Sequence, residues 1–150
     1  MNIEQYHHSY MQKCIELAEL AKARGDSPVG AILVKNNEII AQGIEAGKTK
    51  QDITYHAEIE AIRDIRVKLG ITDLSEYTMY TTHEPCIMCS YVIRHHKINT
   101  IVWGVSSGKI GGYTSGYKIL QDLSVEQWGK APKIVMGIAE DQCRELNNLY

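Results

Sequence analysis

His56-Ala57-Glu58-Ile59 and, further along, Pro85-Cys86-Ile87-Met88-Cys89 are the two stretches around which the chain is organised. One histidine and two cysteines supply three ligands of a tetrahedral zinc and leave the fourth position for water. Glu58 stands two residues from His56, where a proton carrier for that water is needed. Cys86 and Cys89 are three apart, so in the first turn of a helix they share a face. The free N–H groups and positive dipole end of such a turn favour thiolates. Pro85 suits the first position of that helix. His56 and Glu58 would not face the same way on a regular helix. His56 is therefore expected in a first turn, with Glu58 coming round to the water.

Each motif alone has a plainer reading. A C-x-x-C is also the pattern of a redox dithiol, and an exposed Glu at a helix start complements the dipole. The combination, with Pro before the first cysteine, points to metal. The charge count then gives Glu58 its role. Two thiolates cancel the two charges of zinc, so the site acidifies water less than three neutral histidines would. A base beside the water has to take its proton.

Outward from the motifs, elements alternate. Tyr10, Cys14, Leu17 and Ala21 recur at helical spacing within Ile3–Arg24, and Gly25 is a natural stop. Val29–Lys35 and Glu38–Gln42 flank Asn36-Asn37, a hairpin pattern. Gly43–Asp52 reads as loop. Ile59, Ile62, Ile65 and Leu69 form the stripe of the His56 helix, ended by Gly70. Tyr77–Thr82, Ile98–Val105 and Lys133–Ile138 have strand composition, and Glu140–Leu149 reads as a last helix. Ser106–Tyr117 carries four glycines and three serines and is expected to be a mobile loop with the option of a lid. Lys118–Lys130 is ambiguous. The order predicts an α/β layered domain whose mixed sheet is antiparallel at the hairpin and parallel where helices cross over.

The 150 residues predict a single zinc-dependent domain over 1–150, able to bury roughly two thirds of its surface without disulfides. Cys14 and Cys143 are expected to be buried, inert thiols. A net charge of -2 gives no global attraction to nucleic acid. No apolar run approaches the roughly 20 residues of a membrane span, and MNIEQYHHSY lacks the plan of a signal peptide. The expectation is a cytoplasmic protein with no membrane partner.

The H-x-E and P-C-x-x-C pattern is that of zinc deaminases, and the chain resembles the cytidine deaminase superfamily. Within it, Pro28-Val29-Gly30-Ala31-Ile32-Leu33-Val34, His56-Ala57-Glu58-Ile59, Thr82-His83-Glu84-Pro85-Cys86-Ile87-Met88-Cys89 and Gly137–Cys143 are similar to the branch of tRNA adenosine, guanine and cytosine deaminases. The resemblance implies a three-layer α/β/α fold with a five-stranded mixed sheet, one Zn2+ with its bound water, and a homodimer. It implies metal ligands His56, Cys86 and Cys89, the catalytic acid/base Glu58, and substrate contacts from Glu45, Ala57, His83, Glu84 and Pro85.

Glu45 falls where the family usually has an Asn that binds the base. Asn donates and accepts, whereas an ionised carboxylate only accepts. A carboxylate there suits rings presenting N–H or amino donors. The expected function is accordingly hydrolytic deamination of a small aminated heterocycle, a guanine-type purine base or nucleoside in purine metabolism. The alternative is a tRNA adenosine deaminase, suggested by Pro28-Val29-Gly30-Ala31 but disfavoured by the charge balance. A reading of another class is a non-catalytic zinc module used for association.

Overall fold

The computed structural model describes residues 1–147. Helix α1 (Ile3–Ala23) starts in a capping box between Asn2 and Gln5 and stops where Gly25 adopts φ 90°. Strands β1 (Gly30–Lys35) and β2 (Glu38–Ile44) pair antiparallel through Asn36 and Asn37, whose φ values of 51° and 63° suit a two-residue hairpin turn. A single helical turn, α2 (Gly47–Lys50), interrupts the segment expected as loop. Then follow α3 (Ala57–Leu69), β3 (Thr78–His83), α4 (Ile87–His95), β4 (Thr100–Val105), β5 (Lys133–Met136) and α5 (Glu140–Leu146). The expected last helix therefore ends at Leu146, and Leu149 lies outside the described residues.

The five strands lie in the order β2-β1-β3-β4-β5. Both neighbours of β1 run antiparallel to it, while β3, β4 and β5 run parallel. Strand side chains alternate between two cores. Ala31, Leu33, Met79, Ile101 and Trp103 pack under α3 and α4; Ile32, Val34, Tyr80 and Val102 pack under α1 and α5. The result is the expected α/β/α sandwich with a mixed sheet. The buried Cys14 and Cys143 meet in the second core.

Glycine sets the spacing between β2 and α3. A Cβ on Gly43 would run into the Ala57 carbonyl and come within 2.5 Å of the Ala61 nitrogen. The first turn of α3 thus rests directly on the β2 backbone, and that turn carries His56 and Glu58.

Candidate metal centre and pocket

His56 and Cys86 are the N-caps of α3 and α4, each with extended backbone (ψ 149° and 178°). This corrects the expected first-turn placement of both, and Pro85 stands before the cap rather than at the first helical position. The reason is local. An N-cap side chain turns back over the open end of its helix, where the free N–H groups lie. His56 at the cap and Glu58, second residue of the helix, can then face one cavity, which positions two apart on a regular helix would not allow.

His56 Nδ1 lies 3.5 Å from Cys86 Sγ and 3.4 Å from Cys89 Sγ. Tetrahedral zinc with ordinary bond lengths sets N and S ligands about 3.6 Å apart. The donor set therefore fits zinc with no rearrangement, and the three ligand atoms lie within 4.8 Å of one another. No fourth His, Cys, Asp or Glu joins the cluster among the described residues, which leaves one position of a tetrahedron open.

Electrostatics match. The neighbouring Cys89 thiol, helped by His56, draws the Cys86 thiol down to about 4. Its hydrogen bond to Cys86 and its own burial push the Cys89 thiol up. The same cysteine, Cys86, raises His56 to about 9. Three groups thus compete for protons that a dication would displace. Glu58, 4% exposed, is raised to about 7, chiefly by burial and further by Cys86.

A cavity of about 260 Å³ opens onto this cluster, and His56, Cys86 and Glu58 form its floor. Glu45 and His83 also line it. Glu45 is 7% exposed, and its Oε2 accepts the Gly47 N–H at 3.2 Å. Burial raises its pKa, while His56 and the Gly47 and Ala57 backbone oppose that rise. Burial drops the His83 imidazole to about 4, and its Nδ1 lies 3.2 Å from the Thr82 hydroxyl.

The other expected substrate contacts sit differently. Ala57 is fully buried and Pro85 is buried, and neither lines the cavity. Glu84 borders the cavity, but its carboxylate is consumed by hydrogen bonds to Ser106, Ser107, Tyr113 and Thr114. The segment expected to be mobile is therefore pinned. Ser27, Val29, Ser107, Ile110 and Asn147 complete the walls. Ser27 and Asn147 carried no signal in the sequence, since one lies in a turn and the other just past α5.

Residues 4–105 match the family described as the cytidine and deoxycytidylate deaminase zinc-binding region. A tRNA-specific adenosine deaminase of Streptococcus pyogenes serotype M1 is 31% identical over 141 residues, 94% of this chain and 81% of the relative. A solved structure from studies of A-to-I editing by tRNA:A34 deaminases superimposes with a TM-score of 0.84 at 31% identity, over 92% of this chain and 98% of the other. Guanine deaminase from Bacillus subtilis superimposes with a TM-score of 0.62 at 33% identity, over 71% and 66% of the two chains.

Proposed function

The chain belongs to the cytidine and deoxycytidylate deaminase zinc-binding family, and from that premise we propose that it hydrolytically deaminates an adenosine presented by a tRNA. The observation that carries this reading is likeness to tRNA-acting relatives along nearly the full length of both chains, 92% and 98% at a TM-score of 0.84. The likeness to a guanine deaminase covers less of each chain. This reverses the order in which the sequence ranks the two substrates.

A zinc ion held by His56, Cys86 and Cys89 supplies a Lewis acid and a water of lowered pKa at its open position. Glu58 receives the proton that the water gives up as its oxygen bonds to the amino-bearing ring carbon. It passes that proton to the adjacent ring nitrogen, then takes the proton left on the new hydroxyl and gives it to the departing amine. The C–N bond breaks, ammonia leaves, and the ring keeps a carbonyl. Val29, His83 and Asn147 form walls against which the base is held. The net charge of -2 assigns phosphate contacts to local cations; Lys48 and Lys50 on α2 and Lys109 beside Ile110 lie within five residues of cavity residues.

One observation favours a second reading. Glu45 places a buried acceptor in the cavity, and adenine offers few donors besides the amine that it loses. A guanine-type ring presents several. The discriminating experiment offers the zinc-loaded protein an anticodon stem-loop and, separately, a panel of free aminopurines. Inosine in the stem-loop, with binding that weakens steeply as salt rises, supports the first reading. Ammonia from free guanine-type rings, with no salt-sensitive stem-loop binding, replaces it with the second.

The family resemblance also implies one catalytic domain and a homodimer, with Glu58→Gln leaving both intact. Sedimentation of the zinc-loaded protein tests the assembly.

A further inference from the structure

We propose that Glu84 is a positioning residue: its buried carboxylate holds Ser106–Ser115 as a fixed wall of the pocket, so that substrate meets a preformed surface. This rests on the cavity over the zinc ligands being the active site.

Glu84 is 1% exposed, a costly place for a carboxylate unless its oxygens are fully used. They are. Oε1 accepts from the Ser106 hydroxyl at 3.0 Å, the Ser107 N–H at 3.0 Å and the Thr114 hydroxyl at 2.6 Å. Oε2 accepts the N–H groups of Tyr113 and Thr114 at 2.9 and 2.7 Å. Five donors leave no acceptor capacity for a substrate.

The backbone is built to the same fit. A Cβ on Gly111 would collide with the Glu84 carboxyl group, and one on Gly112 with Ser90 Oγ. The Gly112 N–H donates to the Pro85 carbonyl at 2.9 Å, and Gly111 bridges to Cys86. The Ser107 hydroxyl donates to the Glu84 carbonyl at 2.6 Å. Clamps at 106–107 and 111–114 leave only a short tip, Gly108-Lys109-Ile110, between them, and Ser107 and Ile110 line the cavity. Glu84-Pro85-Cys86 thus ties one pocket wall and one metal ligand to a single strand end.

In Glu84→Gln one oxygen becomes an NH2 that opposes the N–H donors it must meet. If the ordered wall falls to a tenth of its population, apparent affinity falls about tenfold. The experiment compares the parent, Glu84→Gln and Gly111→Ala, all zinc-loaded and well below their melting temperatures. Gly111→Ala keeps Glu84 but pushes the loop off it, so it serves if Glu84→Gln does not fold. Three readouts are taken: amide hydrogen exchange at Ser107, Tyr113 and Thr114, zinc per chain, and KM and kcat on the anticodon stem-loop. The Kd for purine riboside, a ring with no amine to lose, is measured alongside.

The expected result is faster exchange at the three amides, one zinc per chain, and KM and the riboside Kd each raised about tenfold with kcat close to the parent value. Unchanged exchange overturns the clamp. Faster exchange with unchanged KM and Kd overturns the wall, leaving an ordinary fold staple. Zinc loss in step with the KM rise also overturns it, in favour of support for the metal. A parent that does not turn over the stem-loop sinks the tRNA reading alone, and exchange with the riboside Kd still decides Glu84.

Discussion

Gly43→Ala, a one-carbon change outside the cavity lining, should damage the site through α3. The added Cβ would sit 2.5 Å from the Ala61 nitrogen and closer still to the Ala57 carbonyl oxygen, whereas ordinary contact begins near 3.4 Å, so α3 must retreat by at least about 0.9 Å. Overpacking of this kind costs about 1–3 kcal/mol, a fall of roughly 2–4 °C in Tm per kcal/mol for a chain of this size. The retreating turn carries His56 and Glu58, and a misplacement near 1 Å can cost about 100-fold in rate. The control is Leu17→Ala in the core on the other face of the sheet, which should cost about 2–5 kcal/mol without moving α3. The assays are thermal unfolding, the visible spectrum of the cobalt-substituted protein as a reporter of ligand geometry, and kcat/KM. Gly43→Ala should change the spectrum and lower kcat/KM about 100-fold; Leu17→Ala should lower Tm as much or more and leave both near the parent values. Equal loss of kcat/KM in the two variants would refute the reasoning, since general loosening would then suffice. An unchanged Tm in Gly43→Ala would refute the close approach itself.

Glu58→Gln should keep one zinc per chain and lower kcat about 10²–10⁴-fold, the usual worth of a positioned acid/base; metal analysis beside turnover checks it. Chelation should abolish activity and lower Tm, with both restored by zinc, because ligand bound only to the native state stabilises it. Arg94→Leu orphans the carbonyls of Ile119 and Asp122, which the buried guanidinium binds at 2.7 and 2.9 Å. It should cost about 2–4 kcal/mol and open Lys118–Lys130 to limited trypsin digestion. Asp26 is raised by burial, but the Thr49 hydroxyl and amide and Arg24 more than offset this, so its folded pKa lies below the ordinary 3.8. Its contribution is present above 3.8 and is lost as pH falls through the folded value. Asp26→Asn should therefore show a shallower loss of stability on acidification than the parent, measured by urea unfolding across that range.

The zinc-binding cluster and the layered fold were legible in the sequence because their motifs and elements are local in the chain. Asn36-Asn37 takes positive φ wherever it sits between strands, and Gly25 and Gly70 stop helices by local conformation. Cys86 and Cys89 meet one face of a helix start by spacing alone. Only the tertiary structure decided what each carboxylate near the metal does. Glu45, Glu58 and Glu84 are the same side chain, and each is buried. Glu45 and Glu58 turn into the cavity, whereas Glu84 is claimed by donors 22 to 30 residues away. A loop of glycine and serine carries no periodic signal of such a claim, so its composition read as mobile. Which buried carboxylate is saturated by donors and which faces the cavity is set by what the fold brings against it, because burial makes every unpaired oxygen costly.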